Sequence, residues 1–377
     1  MEQSKTIGII GGGQLGRMLT LAAKTLGFKV IVIDPGVNCP AAQVGAEQIV
    51  GDLYDPKAIK ELASRADFIT IEIEHLDTKT LEELEITGVK VSPSAKTIKL
   101  IQDKYLQKKK LDESGIPVAP FLEIFDESSA YDAMEQFGGK MLLKTRHGAY
   151  DGRGNMVVES EADIREALEL FKDKPLYAEA YIPFEKELAV IIARDVNGNI
   201  VTYPTVQTIH ERNICVEVLA PAPIAEELRN KAEKVADEVA KVLEGAGVFA
   251  IEMFLTDSNE ILVNEIAPRV HNSGHQTIEG NITSQFEQHI RAISGMSLGD
   301  TSMKVPAAVM INILGERNGE TSLTGVENIV DKEFVFVHDY GKSPTKIDRK
   351  MGHITAIGDN LDQARKRAED SRKVISI

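Results

Sequence analysis

The sequence predicts a mixed fold: a doubly wound α/β sheet first, an α+β middle, and a small strand-rich C-terminal part. Three observations carry this expectation. Short β-branched runs alternate with helix-patterned stretches through about the first hundred residues. The middle holds a glycine-rich segment and, beyond it, two apolar runs (249–255 and 260–266) separated only by a turn at Asp257, Ser258 and Asn259. At 377 residues the chain exceeds the size at which a single core stops growing, so two or three domains are expected.

Taken in order, Thr6 to Ile10 reads as a strand, Gln14 to Leu26 as a helix closed by Gly27, and Lys29 to Asp34 as the next strand. That is a βαβ unit with parallel strands, and Asp67 to Ile73 and Val89 to Ser92 continue it. Ser94 caps a helix with apolar positions at Ile98, Ile101, Tyr105 and Leu111, ended by Gly115 and Pro117. Strands and a helix alternate from Phe121 to Ala180, and Glu187 to Thr205 forms a hairpin turning at Asn197-Gly198. Ala225 to Leu243 is an amphipathic helix. From Lys304 the pattern is strand-rich, with a last helix near Leu361 to Lys373.

Composition narrows the function. The net charge of -15, from 43 basic and 58 acidic residues without a basic block, argues against a nucleic-acid partner. Runs such as Ile7 to Ile10 are too short to span a membrane. Met1 to Thr6 leaves no room for a signal peptide, and Cys39 and Cys215 are too few for a disulfide framework, so a cytoplasmic location is expected.

Three motifs carry chemistry. Gly11-Gly12-Gly13-Gln14-Leu15-Gly16 joins a strand to a helix, with Asp34 ending the next strand, an arrangement that suits a phosphate and admits a dinucleotide. Arg146-His147-Gly148-Ala149-Tyr150-Asp151-Gly152-Arg153-Gly154-Asn155 lacks a P-loop ending, yet with Lys144 it makes a cationic flap able to close over polyphosphate. A hairpin loop with solvated charges is the competing reading. In the paired runs, folding about Ser258 places Glu252 opposite Asn264, with Glu265 one step along. Carboxylates and an amide without histidine or cysteine suit a hard cation such as Mg²⁺ bridging nucleotide phosphates. Beyond them, Arg269, His271, Asn272 and His275 form a polar cluster suited to substrate recognition. A zinc pair at His271 and His275 would require a helix that Ser273-Gly274 argues against.

Together these segments, with Tyr181-Ile182-Pro183-Phe184-Glu185-Lys186-Glu187, Asn264-Glu265-Ile266-Ala267-Pro268-Arg269 and Arg349-Lys350-Met351-Gly352-His353, resemble the ATP-grasp superfamily. More narrowly, the chain is similar to the N5-carboxyaminoimidazole ribonucleotide synthetases of purine biosynthesis. The resemblance implies an ATP-grasp fold with an N-terminal Rossmann-like (pre-ATP-grasp) domain over 1–103, an ATP-grasp domain over 104–300 with a lid near 115–183, and a β-rich C-terminal domain over 301–377. It implies ATP contacts at Lys104, Lys144, Ala149 to Asn155, Glu179, Ala180, Tyr181, Ile182, Glu187, His210, Asn264 and Glu265. Glu252 and Glu265 would bind Mg²⁺, as two ions, with Mn²⁺ as an alternative.

For the ribonucleotide it points to Gln14, Glu74, Tyr150, Asp151, Arg153, Arg269, His271 and Asn272, with Lys342 and Arg349 on the phosphate. Lys144, Arg153 and Arg269 would serve catalysis. The implied reaction is phosphorylation of bicarbonate by ATP, followed by carboxylation of 5-aminoimidazole ribonucleotide, in a homodimer. The chain departs from the family's usual pattern at Lys104 (arginine), Val270 (proline), Ala149 (glycine) and Gln207-Thr208 (Glu-Asn). A nicotinamide oxidoreductase, a formate- or amino-acid-activating ligase acting on glycinamide ribonucleotide, and a non-catalytic nucleotide sensor are the competing functions.

Overall fold

The structure, a computed structural model, describes residues 4–148 and 154–377. Its first sheet is parallel, in the order Glu47–Val50, Lys29–Asp34, Thr6–Ile10, Phe68–Ile71. Ile7, Ile9, Ile10, Val32, Ile33, Ile69 and Ile71 are fully buried, as strands covered on both faces require. The strand expected over Val89 to Ser92 reduces to one parallel bridge, Val91 to Ile69, because the following Pro93 has no N–H to extend the ladder.

The helix expected from Ser94 to Gly115 is two helices, Ala95–Gln102 and Lys104–Glu113. Asp103 interrupts them with extended backbone, and its carboxylate accepts from the N–H groups of Tyr105 and Leu106 at 3.1 Å each. An aspartate that satisfies free N–H groups is more stable as a cap than inside a helix.

A four-stranded antiparallel sheet follows, ordered Phe121–Ile124, Leu176–Ala180, Met141–Thr145, Asn155–Val158. Helices Glu127–Gln136 and Glu161–Leu170 bury Ala130, Ala133, Ile164 and Ala167 against it. The third sheet has nine strands. At its centre Phe184–Arg194 pairs with Gly247–Thr256 and with Val206–Glu211, and Gly247–Thr256 continues to Ile261–Ala267. The hairpin expected at Asn197-Gly198 is present, with Ile200–Thr202 returning on Phe184–Arg194. Helix Glu226–Val242 buries Ala232, Val235, Ala236, Val239 and Ala240 on this sheet, at the spacing of one helical face.

The C-terminal strands Ala307–Leu314, Lys350–Gly358 and Val335–Asp339 join the same sheet through Ile214–Ala220. The C-terminal part therefore continues the central sheet and is backed by helix Leu361–Val374. Among the described residues no helix is long and apolar enough to cross a membrane.

Candidate active site

The carboxylate hairpin holds the register read from its turn up to Met253↔Val263, and then a β-bulge shifts it. Asn264 is the extra residue. Glu252 consequently stands opposite Glu265, not opposite Asn264 as the turn symmetry predicts. Bulges re-aim side chains in this way beside active sites. Burial and the facing Glu265 push the Glu252 carboxyl up to about 7. Two carboxylates held this close call for a cation, and Lys104 Nζ, 2.6 Å from Glu265 Oε1, supplies one positive charge.

Helix Lys104–Glu113 ties this hairpin to the lid sheet. One face presents Lys104 to Glu265, Gln107 Oε1 to the N–H of Ile266 at 3.2 Å, and Lys108 to Glu179 at 3.0 Å. At its start, Asp103 forms a bidentate ion pair with Arg146, which also reaches Glu123. Lys144, on Met141–Thr145, lies 3.3 Å from Glu179.

Of these residues, Lys104, Gln107, Lys144, Glu179, Glu252, Asn264 and Glu265 line one cavity of about 440 Å³. Of the nucleotide residues expected from the sequence, Lys104, Lys144, Asn155, Glu179, Ala180, Tyr181, Ile182, Glu187, His210, Asn264 and Glu265 line it, as does Glu252. Glu187 and His210 come from neighbouring strands and are hydrogen-bonded to each other. Burial disfavours protonation of His210, but the Glu187 carboxylate outweighs it and raises the imidazole above its ordinary value. The pair thus puts a carboxylate with a polarised partner beside the wall formed by Glu179 to Ile182.

The same cavity is also lined by Glu74, Arg269, His271 and Asn272. Arg269 grips Glu74 in a fork, Nε to Oε2 at 2.6 Å and Nη2 to Oε1 at 3.2 Å. His271 Nε2 lies 3.4 Å from Glu252, and burial lowers its imidazole to about 3, so it is neutral. The Asn272 amide is engaged in a reciprocal pair with Asn312, at 3.0 and 2.6 Å. His275 diverges from His271 into the core against Phe286, Tyr340 and His353, which removes the zinc pair.

Gln14, Lys342 and Arg349 stand outside the cavity lining. Lys342 donates to Gln14 and, at 2.9 Å, to the carbonyl of Lys350, which does line the cavity. Arg349 donates to the Pro344 carbonyl at 2.6 Å.

The first glycine loop is occupied from within. The N–H groups of Gly13 and Gly16 donate to Glu72 at 2.6 and 2.5 Å, and Gly12 donates to Asp34 at 3.1 Å. Gly11 has φ 107°, and a Cβ there would lie 2.2 Å from Glu72 Cγ, so the carboxylate and the glycine fit only together. A dinucleotide pyrophosphate would have to displace a buried carboxylate from the helix terminus, which overturns the nicotinamide reading.

Ala149, Tyr150, Asp151, Gly152 and Arg153 lie outside the described residues, while Gly154 follows with its carbonyl accepting from Thr145 at 2.8 Å. Residues not foreseen also line the cavity, among them Gln107, Phe184, Phe254 and Lys350. Phe184 and Phe254 stack at 4.5 Å. Phe254 follows Glu252 by two on a strand, and Gln107 follows Lys104 by three on a helix. Either period, carried one step further, finds them.

Comparison with known proteins agrees with this geometry. The chain matches the family models of the ribonucleotide synthetase preATP-grasp domain over residues 4–102, the ATP-grasp domain over 109–286, and the phosphoribosylaminoimidazole carboxylase C-terminal domain over 308–367. It is 46% identical over 376 residues to the phosphoribosylaminoimidazole carboxylase of Ogataea methanolica, covering 97% of this chain and 68% of that one. It spans about two thirds of the length of the fungal and plant carboxylases it matches. Among solved structures it resembles the N5-carboxyaminoimidazole ribonucleotide synthetase of Thermotoga maritima, with TM-score 0.89, 43% identity and 99% of each chain covered. The Aspergillus clavatus N5-carboxyaminoimidazole synthase, solved with ADP and 5-aminoimidazole ribonucleotide, gives TM-score 0.92 and 38% identity over 99% of each chain.

A parallel-sheet domain, a lid sheet facing a larger sheet, and paired carboxylates between them define an ATP-grasp ligase. Within that class, the chain belongs to the N5-carboxyaminoimidazole ribonucleotide synthase family.

Proposed function

We propose that the chain carboxylates 5-aminoimidazole ribonucleotide at the expense of ATP and bicarbonate, giving N5-carboxyaminoimidazole ribonucleotide, ADP and phosphate. One observation carries the proposal: the facing carboxylates Glu252 and Glu265 lie in the same cavity as Lys104, Lys144, Glu187 and His210 and as Glu74, Arg269 and His271. An anionic nucleotide and a second polar substrate can therefore meet at one place.

ATP would lie with its adenine along Glu179 to Ile182, its ribose hydroxyls on Glu187 with His210 beside them, and its phosphates toward Lys104 and Lys144. The described residues hold no group of three or more His, Cys, Asp or Glu that could enclose a metal ion. Glu252, Glu265 and Asn264 instead form an open oxygen set that phosphate oxygens would complete, which fits Mg²⁺. Two ions are the proposed count, with Mn²⁺ as an alternative. Bound there, the metal would neutralise charge building on the transferred phosphoryl group.

A bicarbonate oxygen attacks the γ-phosphorus and ADP leaves, giving carboxyphosphate. The amine of the ribonucleotide then takes the carboxyl carbon, loses a proton, and inorganic phosphate departs. Such a transfer needs in-line positioning and charge neutralisation more than covalent help. Lys144 and the flap residue Arg153 would supply the charge, and closure of Ala149 to Asn155 would keep water from the carboxyphosphate. Arg269, fixed by Glu74, and the neutral His271 would orient the ribonucleotide, with Tyr150, Asp151 and Asn272 alongside. Lys342 and Arg349 would meet its phosphate, and Gln14 would complete the pocket from the first domain. A homodimer in the cytoplasm completes the proposal.

The test is phosphate release from ATP-Mg²⁺ with and without 5-aminoimidazole ribonucleotide, supplying bicarbonate or formate. Release stimulated by the ribonucleotide with bicarbonate alone is expected. Stimulation by formate with glycinamide ribonucleotide would instead support the formate-activating alternative.

A further inference from the structure

Lys108 lies one helical turn beyond Lys104, and its ammonium is 3.0 Å from Glu179 Oε2, with both side chains 2% exposed. The other carboxylate oxygen, Oε1, is 3.3 Å from Lys144. Lys144 lines the cavity and Lys108 does not, so Glu179 is held by one lysine from behind and by another from the nucleotide side. Burial alone would neutralise the Glu179 carboxyl; Lys108 and Lys144 together reverse this and hold it below its ordinary value. Tyr177, on the same strand, is near it and burial keeps its phenol protonated, while Glu265 and Asp103 are close enough to act on this cluster through their charge.

The two lysines are not equivalent. If Glu179 depended on Lys144 alone, drawing Lys144 to the phosphates would strand a buried carboxylate without a partner, which is strongly unfavourable. Lys108 removes that conflict because its helix also carries Lys104 and Gln107 against the opposite sheet and so fixes its place. We propose that Lys108 is a positioning residue that stays with Glu179 when Lys144 turns to the nucleotide phosphates, leaving Lys144 available to ATP. The inference rests on the nucleotide site proposed above.

The experiment compares wild type, Lys108→Met, Glu179→Gln and the double variant Lys108→Met/Glu179→Gln. It follows the KM for ATP against pH at saturating Mg²⁺, bicarbonate and ribonucleotide, with thermal unfolding as a check on folding. Lys108→Met should raise the KM for ATP about tenfold, equivalent to 1.4 kcal/mol of binding. It should also introduce an ionisation that wild type lacks, the KM improving as pH falls, because a Glu179 held by Lys144 alone takes up a proton and releases Lys144. The double variant has no buried carboxylate to compensate and should lie within about threefold of Glu179→Gln alone, without that ionisation.

A Lys108→Met enzyme with wild-type KM and pH profile overturns the inference, as does a rise of about tenfold on adding Lys108→Met to Glu179→Gln, the result of a packing role. If Lys108→Met alone does not fold, the double variant read against Glu179→Gln decides by the same threefold criterion. Wild type lacking any ATP turnover would overturn the nucleotide site itself and this inference with it.

Discussion

At Glu74, burial works against the carboxylate, and the Arg269 guanidinium outweighs it, holding the carboxyl down at about 2 against an ordinary value of 4.5. Because the folded value lies below the unfolded one, the pair stabilises the fold above about pH 4.5 and loses that contribution as pH falls toward 2. The difference corresponds to on the order of 3 kcal/mol. Urea unfolding of wild type and Glu74→Gln should show a gap of that order at neutral pH, closing below pH 4.5. A gap independent of pH would refute the ion pair as its source. At Glu265, replacement by glutamine should lower ATP turnover about a hundredfold or more, 2.7 kcal/mol of barrier, with the unfolding transition retained; unchanged turnover would remove it from the site. Glu265 is legible in the sequence, since a carboxylate flanked by apolar strand positions needs a partner, whereas Glu74 follows only from the family resemblance. Their partners are less legible. Glu72 two residues before Glu74 carries no sequence signal, because what it binds is the backbone of a loop more than fifty positions away.

At the scale of elements, the hairpin and helix Lys104–Glu113 decide the geometry. The turn at Asp257, Ser258 and Asn259 predicts the register as far as Met253↔Val263, but nothing in the composition of the strand announces the bulge at Asn264. The helix break at Asp103 was open to a closer reading, since the residue is a strong cap inside an apolar period. That aspartate both caps the helix and anchors Arg146 of the lid sheet. Asp103→Ala should therefore destabilise by about 3 kcal/mol or more, as a broken buried pair does. Asp103→Asn, which keeps the cap, should recover about 1 kcal/mol of it. Equal losses in chemical unfolding would mean that the cap contributes nothing.

At the scale of the molecule, the N-terminal sheet, the lid and the central sheet meet around one cavity, and the C-terminal strands close it by extending the central sheet. Sequence periodicity reveals each sheet but not that the second and third parts share one, because joining Ile214–Ala220 to Ala307–Leu314 is a long-range pairing. The contact of Lys342 with Gln14 joins the N-terminal and C-terminal parts of the chain. Lys342→Met should raise the KM for the ribonucleotide about tenfold or more, as loss of a charged hydrogen bond does, and leave the KM for ATP unchanged. A matching rise in both would place Lys342 in the fold rather than at the substrate. The central claim is that ATP phosphorylates bicarbonate, and its most direct measurement is the fate of oxygen-18 supplied as labelled bicarbonate during turnover with 5-aminoimidazole ribonucleotide. One labelled oxygen in each inorganic phosphate released is the expected result, because the bridging oxygen of carboxyphosphate leaves with phosphorus. Product formed with unlabelled phosphate would contradict it.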